Sequence, residues 1–248
     1  METERNKRAL VVAKTWDNIW KKTKLGEWDK LSESIYQVLR RETLHKSGLM
    51  LEAGSGTGRI SCRLKEDFAE AVVLLDVSKT AIKISKGLFE EKGQTGFFII
   101  GSILDIPLKG DITEVSWNAG VLEHFSENEQ SRALEEMLRV CKGKGLIVTL
   151  NPSSRALLYR IGKWFAEKTN AWTVGYEKPV KSMRKYIIKS CFWESEYSMD
   201  FDATIVFLSP IPFLNRSIAL LHMMSVKLPA KIMDQFGYLL VSLARKVE

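Results

Sequence analysis

The chain has 248 residues, 45% of them hydrophobic and 27% charged, with a formal net charge of +7. That length suffices for one large α/β domain with a sizeable core, and the composition is that of a soluble globular protein. Three separated cysteines, Cys62, Cys141 and Cys191, with no CxxC pair, exclude a disulfide framework and a thiolate zinc site, so a reducing cytoplasm is the expected setting. The surplus of basic residues suits an anionic partner (RNA, a lipid headgroup, an acidic small molecule) and equally a well-solvated lysine surface. The opening residues METERNKRAL carry charge without a long apolar run, so no secretory leader is expected. The most apolar stretch, residues 203–224, is broken by Pro210, Pro212, Asn215, Arg216 and His222, too often for a membrane span.

In chain order, strand and helix alternate. GLMLEAG (48–54) is a short apolar run ending in glycine, the pattern of a buried strand. GRISCRLKEDF places Ile60, Leu64 and Phe68 four apart and predicts a helix. AEAVVLLDVS predicts the next strand, ending at Asp76. KTAIKISKGLFEEKG predicts a helix stopping at Gly93. GFFIIGS and EVSWNAG read as the third and fourth strands. SENEQSRALEEMLRVC reads as a helix burying Ala133, Leu134, Met137 and Leu138, and GKGLIVTLNP as the fifth strand. Such alternation implies βαβ units and a mostly parallel sheet covered on both faces, with ligands at the carboxyl ends of the strands. Beyond residue 152 the rhythm changes. SSRALLYRIGKWFAEK predicts a helix with Leu157, Ile161, Trp164, Phe165 and Lys168 on one side and Arg155, Arg160 and Lys163 on the other. SMRKYIIKSCF predicts a helix capped by Ser182, with Met183, Tyr186 and Ile187 inward. YSMDFDATIVFL and FGYLLVSLARK predict two late strands, separated by an apolar helical segment between Pro212 and Pro229.

The stretch LEAGSGTGRIS (51–61) carries the first functional signal. A phosphate-cradling P-loop requires Gly-Lys-Ser/Thr after its glycines, but Gly58 is followed by Arg59 and Ile60. A dinucleotide fingerprint requires GxGxxG, and the spacing here is GxGxG. Glu52 at the end of the first strand would repel a pyrophosphate and attract an amino group. Asp76 ends the second strand, placed to accept hydrogen bonds from ribose hydroxyls. A ligand with a ribose, an ammonium group and no phosphate fits all three features.

This constellation resembles the class I S-adenosylmethionine-dependent methyltransferases, in particular the group called type 11. The motifs run in order from Leu49 to Pro152: LEAGSGTG, VVLLDVS, GSILDIPL, WNAGVLEHF and LRVCKGKGLIVTLNP; the final FGYLLVSLARK is similar to the family's last strand. The resemblance implies a Rossmann-like, doubly wound, mostly parallel seven-stranded sheet. It also implies S-adenosyl-L-methionine as cofactor, with S-adenosyl-L-homocysteine as product. Glu52, Gly54, Ser55 and Gly56 would line its methionine part, where small residues let the backbone approach. Asp76 would hold the ribose, Val77 would pack on the adenine, and Ser102 and Ile103 would stand at the adenine-side turn. Asn118 and Ala119 would lie beneath the sulfonium. Three positions depart from the family pattern: Ser102 stands where Asp is common, KGKG replaces a Gly-Gly, and Glu114 opens the fourth strand in place of Asp.

The resemblance divides the chain into one domain with three parts: an N-terminal helical lid (1–46), a cofactor-binding core (47–152), and substrate-cap segments with the last strands (153–248). His124, after the fourth strand, should face the cleft; its imidazole can take a proton from an acceptor, or can instead cap a helix or position Glu123. Trp16 and Trp20 share one helical face of the lid, and Trp172 and Tyr176 follow the cap helix. With Glu123, these four form the expected substrate contacts. No metal site is expected, since no HExxH or paired-acid motif is present. His45 and His222 read as structural. The expected acceptor is small or medium-sized and partly apolar. An RNA or protein acceptor is the second reading, with nucleic acid disfavoured by the absent Asn/Asp-Pro-Pro-Tyr/Phe run. A non-catalytic cofactor-binding scaffold is the third. The amphipathic 153–169 and apolar 213–224 segments also allow a peripheral membrane contact.

Overall fold

The computed structural model describes residues 2–21, 28–46, 48–172, 175–186, 191–215, 217–225, 229 and 234–247. Seven strands form one sheet: β1 (Leu49–Ala53), β2 (Ala71–Asp76), β3 (Phe97–Ile100), β4 (Thr113–Ala119), β5 (Cys141–Pro152), β6 (Cys191–Met199) and β7 (Leu239–Lys246). Their order is β3-β2-β1-β4-β5-β7-β6. The first five are parallel, and β7 runs antiparallel between β5 and β6. The helices are α1 (Glu2–Trp20), α2 (Lys30–Thr43), α3 (Arg59–Asp67), α4 (Lys79–Glu91), α5 (Glu127–Val140), α6 (Leu157–Lys168), α7 (Phe201–Val206), α8 (Pro212–Asn215) and α9 (Ile218–Ser225). None among the described residues is long and apolar enough to cross a membrane.

The central strands are apolar on both sides because both sides are covered. Met50, Val72 and Leu74 point into one core, shared with Val38 and Leu39 of α2 and Leu64 of α3. Their neighbours Leu51, Val73 and Leu75 point into the other, shared with Ala133, Leu134 and Met137 of α5. Strand order reverses between β1 and β4, and that reversal opens a crevice at their carboxyl ends. The expected doubly wound, seven-stranded, mostly parallel architecture is present.

The second half corrects several expectations. Of residues 1–46, α2 is a core helix that buries Ile35, Tyr36, Val38 and Leu39, so only α1 lies over the crevice. Over its described start, residues 182–186, SMRKYIIKSCF is not helical. Residues 183–186 form turns, in which the Ser182 hydroxyl accepts from Arg184 N, while Cys191 and Phe192 already belong to β6; Ile187 lies outside the described residues. The strand expected from YSMDFDATIVFL begins earlier and stops at Met199. Asp200, at φ +64°, turns the chain into α7 and caps it by accepting from Ala203 N. β6 forms despite its acids because each has a partner. The Arg245 guanidinium donates to Glu194, and Ser242 Oγ and Met183 N both donate to Glu196 at 2.8 Å.

The α6 face is also reversed. Tyr159, Gly162, Lys163 and Ala166 are buried, while Leu157 (53% exposed), Ile161 (42%) and Trp164 (59%) face outward. Gly162 explains the choice: a Cβ there would lie 1.9 Å from Phe207 O, so only glycine lets α6 meet the backbone that follows α7. Lys163 buries its stem and keeps its ammonium on Glu167 and over the Trp172 ring. The apolar segment after Pro212 is helical as expected, in two pieces, α8 and α9.

Gly162→Ala should therefore destabilise the fold by about 1–3 kcal/mol through overpacking. Gly87→Ala in α4, where an added Cβ meets nothing within 4 Å, should be neutral or stabilising by up to about 1 kcal/mol. Urea unfolding of the two variants measures the contrast.

Candidate functional site

The crevice floor is backbone. After β1 the chain makes a loop in which Gly54 (φ +87°) and Gly56 (φ +52°) adopt left-handed conformations that favour glycine. Gly54 N and Ser55 N both donate to Leu75 O, at 2.7 and 3.0 Å, so the loop hangs from β2. A Cβ on Gly54 would lie 2.5 Å from Val121, and one on Gly56 would lie 2.8 Å from the Trp20 ring. Asp76 is buried at the tip of β2. Its two oxygens accept from Gly56 N and Ser78 N, each at 2.8 Å, and burial raises its pKa against the pull of those amides.

Several buried polar atoms around this loop have no hydrogen-bond partner among the described residues: Glu52 Oε2, Ser55 Oγ and Asn118 Oδ1. Glu52 is the most informative. Burial pushes its carboxyl up to about 8, opposed by a hydrogen bond with Ser61 and by the Arg59 charge. Asn118 is fully buried, with Nδ2 on Met137 Sδ at 3.2 Å, and half-buried Ala119 follows it at the strand end. Val77 is half-buried beside Asp76. Ser102 sits next to Asp76 through the Gly101 N to Asp76 O bond, but its Oγ accepts from Leu104 N within its own turn. Ile103 is buried in the α5-side core.

α1 lies over this floor. Trp16 and Trp20 stack with centroids 6.2 Å apart, and Trp16 meets the His124 ring edge-on at 5.0 Å. Asp17 pins the helix to the start of α4: Ser78 Oγ donates to its Oδ1 at 2.5 Å and Thr80 N at 3.0 Å. The Ser78 bond, then the Thr80 bond, hold its carboxyl below the usual range.

Beyond β4, the 3-10 turn Leu122–His124 aims two groups at a second set of side chains. Glu123 is buried, its Oε2 is unpartnered, and burial drives its pKa well above the usual range. His124 Nδ1 lies 2.6 Å from Tyr176 O, which requires the proton on Nδ1 and leaves the Nε2 lone pair free. Burial lowers the imidazole pKa, so it is neutral near pH 7. Lys178 N donates to Glu123 O at 2.8 Å, so the 175–180 segment closes onto this turn and brings Glu177 in. Burial lifts the Glu177 carboxyl to about 7, and its Oε1 is unpartnered. Glu123, His124 and Glu177 present ligand-type atoms all within 4.8 Å of one another. Tyr238 lies near Glu123 and Glu177 and packs with Tyr159 and Phe207, the ring centroids 4.7–5.0 Å apart.

The structure thus brings together Glu52, Gly54, Ser55, Gly56, Asp76, Asn118, Trp16, Trp20, Glu123 and His124. Two expected contacts fall elsewhere. The Tyr176 ring is 66% exposed and only its carbonyl reaches the site. Trp172 packs on Lys163, with Nε1 on Gly175 O. Glu177, Tyr159 and Tyr238 escaped the sequence reading. Glu177 is next to Tyr176, in a stretch read for its aromatics alone.

A glycine loop at the β1/β4 switch point, a carboxylate at the tip of β2 and an antiparallel β7 define a class I methyltransferase fold. Residues 51–149 match the family model described as "Methyltransferase domain". A curated relative, tRNA (carboxymethyluridine(34)-5-O)-methyltransferase of Arabidopsis thaliana, is 26% identical over 167 residues, 65% of this chain. The match spans only 37% of that relative's length. Among solved structures, one from work on the conversion of a disulfide bond into a thioacetal group during echinomycin biosynthesis aligns with a TM-score of 0.65 at 18% identity, covering 95% of this chain and 93% of that one. A protein from Pyrococcus horikoshii aligns at 0.63 and 16%, covering 88% and 92%. Geranyl diphosphate C-methyltransferase from Streptomyces coelicolor, in complex with Mg2+, geranyl diphosphate and S-adenosyl-L-homocysteine, aligns at 0.56 and 14%, covering 87% and 77%. At these identities the structures share the fold.

Asp17→Ala should loosen α1 from the site. Losing the acceptor of two hydrogen bonds at the α4 N-terminus should speed trypsin cleavage after Lys14 and Lys21 several-fold, with the far-UV spectrum of the rest intact.

Proposed function

We propose that the protein is an S-adenosylmethionine-dependent methyltransferase whose acceptor is a small or medium-sized, partly apolar molecule. The observation that carries the cofactor assignment is the buried Glu52 with an unpartnered Oε2 beside an open glycine backbone. The residues present fit that group. Glu52 would take the amino group, and the Gly54–Gly56 backbone and Ser55 Oγ the methionine portion. Asp76 keeps lone pairs for ribose hydroxyls beyond the two amides it already accepts. The cofactor supplies an electrophilic methyl on a sulfonium, and the protein supplies position. Asn118 and Ala119 would floor the reacting centre, and His124, neutral with a free Nε2, is the candidate base. The Trp20 ring touches Gly56, so α1 must lift for entry and then cover the ligand, excluding water.

Two features support an apolar acceptor. Trp16 borders His124, and Tyr238, near Glu123 and Glu177, packs its ring with Tyr159 and Phe207. The cap around it also exposes large apolar side chains: Leu157, Ile161 and Trp164 of α6, Val206 of α7, Phe213 of α8, and Leu220 and Met223 of α9. A patch of this kind on a basic chain suits a membrane surface from which an apolar substrate is collected. The tRNA-modifying relative motivates an RNA-acting reading. Against it, the groups facing the crevice are acidic (buried Glu52 and Glu123, half-buried Glu177), which disfavours a phosphate backbone at the reacting centre.

Calorimetry with S-adenosylhomocysteine tests the cofactor assignment. Asp76→Ala should weaken binding tenfold or more, since charge-assisted hydrogen bonds are worth roughly 1.5–3 kcal/mol each. Gly56→Val should abolish it. The amino group requires Glu52 ionised, and its free carboxyl titrates at about 8. Binding therefore releases a proton and tightens, by up to roughly tenfold per pH unit, between pH 6 and 7, while Glu52→Gln flattens this dependence. Flotation with anionic and neutral vesicles tests the surface reading. Leu157→Asp with Trp164→Asp should abolish co-flotation, and failure of the wild type to float with either vesicle removes the membrane contact.

A further inference from the structure

The acceptor site holds a cluster that methyl transfer in general does not require. Glu123 is 2% exposed with Oε2 unpartnered, and Glu177 has a buried, unpartnered Oε1. His124 Nε2 bears a lone pair 3.9 Å from Glu123 Oε1, because Nδ1–H is held by the Tyr176 carbonyl. Among the described residues no Lys or Arg pairs with either carboxylate; Lys163, whose charge is felt at His124, is engaged by Glu167. Two carboxyl groups, one buried and one half-buried, and an imidazole lone pair converge on one point, and among the described residues no neighbouring side chain donates to them. Burying such groups is costly unless a donor or cation completes them.

The spacing admits two completing groups, and the surroundings choose between them. Around a divalent metal at about 2.1 Å, tetrahedral ligand atoms stand about 3.4 Å apart. Around an ammonium nitrogen at about 2.8 Å, three acceptors stand about 4.6 Å apart. The observed separations, 3.9 Å for one pair and within 4.8 Å for all, lie between the two and leave room for the wider fan. The walls favour the cation: Trp16 borders His124, and Tyr238, whose phenol pKa is raised by burial first and then by the charges of Glu177, Glu123 and Asp200, lies near both acids. Aromatic faces beside carboxylates are the surroundings an organic cation favours.

We propose that Glu123, Glu177 and His124 Nε2 form the binding site for the ammonium group of a primary amine acceptor, so that the enzyme is an N-methyltransferase. The proposal rests on the methyltransferase reading above and names its substrate class. The two carboxylates receive the amine as R–NH3+. His124 Nε2 takes one proton, and the freed nitrogen pair forms the new N–C bond. The S–C bond of the sulfonium breaks with its electron pair remaining on sulfur, and the imidazolium passes its proton to solvent. The carboxylates then hold the methylated ammonium until release.

The test uses ethylammonium, too small to be refused by the shape of the pocket, with ethanol as its uncharged counterpart and Zn2+ as the metal probe. All are titrated into the full chain saturated with S-adenosylhomocysteine, so that Glu52 is already occupied. Saturable ethylammonium binding in the millimolar range, absent with ethanol and weakened at least tenfold in Glu123→Gln/Glu177→Gln, is expected. That variant should retain wild-type S-adenosylhomocysteine affinity and circular dichroism. No ethylammonium binding up to 100-fold above that range overturns the proposal, as does equal binding by wild type and the variant. Stoichiometric Zn2+ binding lost in the variant, with no response to ethylammonium, replaces it with a metal site. Failure of S-adenosylhomocysteine to bind at all instead defeats the cofactor assignment, and the two failures are read separately in the same titration. Should the double variant misfold, Glu177→Gln alone is read against the same ligands.

Discussion

The carbonyl of Leu75 sets the geometry on which the site depends. It accepts from two consecutive amides, Gly54 N and Ser55 N, and so ties the loop after β1 to the tip of β2. Asp76, the next residue, completes the tie through Gly56 N. Side chains on those glycines would break it, one against Val121 and the other against Trp20. The consequence is a floor of bare backbone at the reversal in strand order, flanked by the buried acid Glu52. Everything above that floor, from the α1 tryptophans to the acidic cluster after β4, is arranged with respect to it.

The parallel half of the molecule was legible because each strand and helix there carries its own periodicity. β1, β2 and β4 are apolar runs bounded by glycine or acid, and α3, α4 and α5 bury regular stripes. The site followed where motif and strand end coincide, at Glu52, Asp76 and Asn118. The later half was not legible, for reasons that are tertiary. β6 carries Glu194 and Glu196, which look unlike strand residues until Arg245 and Ser242 of β7 supply their partners. α6 presents its more apolar face outward because Gly162 and the Phe207 backbone fix its rotation. Glu177 entered the site only because Lys178 N bonds Glu123 O across a sequence gap that no local pattern bridges.

Electrostatically, surface and interior oppose each other. The chain carries a formal charge of +7, yet the groups at the crevice are the buried Glu52, Asp76 and Glu123 and the half-buried Glu177, and desolvation raises the pKa of each. A crevice lined in this way is stabilised by organic cations, and the same desolvation that raises those pKa values strengthens each interaction with a bound cation. Charge counted along the chain therefore says little about the ligand, whereas charge counted at the strand ends says much.

The placement of β7 has a consequence for how the molecule is assembled. It pairs with β5 on one side and β6 on the other, and among the described residues β6 has no other neighbour in the sheet. During synthesis the β3-β2-β1-β4-β5 half can pair as it emerges, while β6 waits with both edges open until Leu239–Lys246 follow. Glu194 and Glu196 discourage association with another chain during that wait, as charges on an unpaired edge do. The sheet is thus closed by a wedge that arrives late. A break in the chain ahead of Leu239 would remove two strands together and leave Ser153 and Tyr238 without the bond that joins the cap to the sheet.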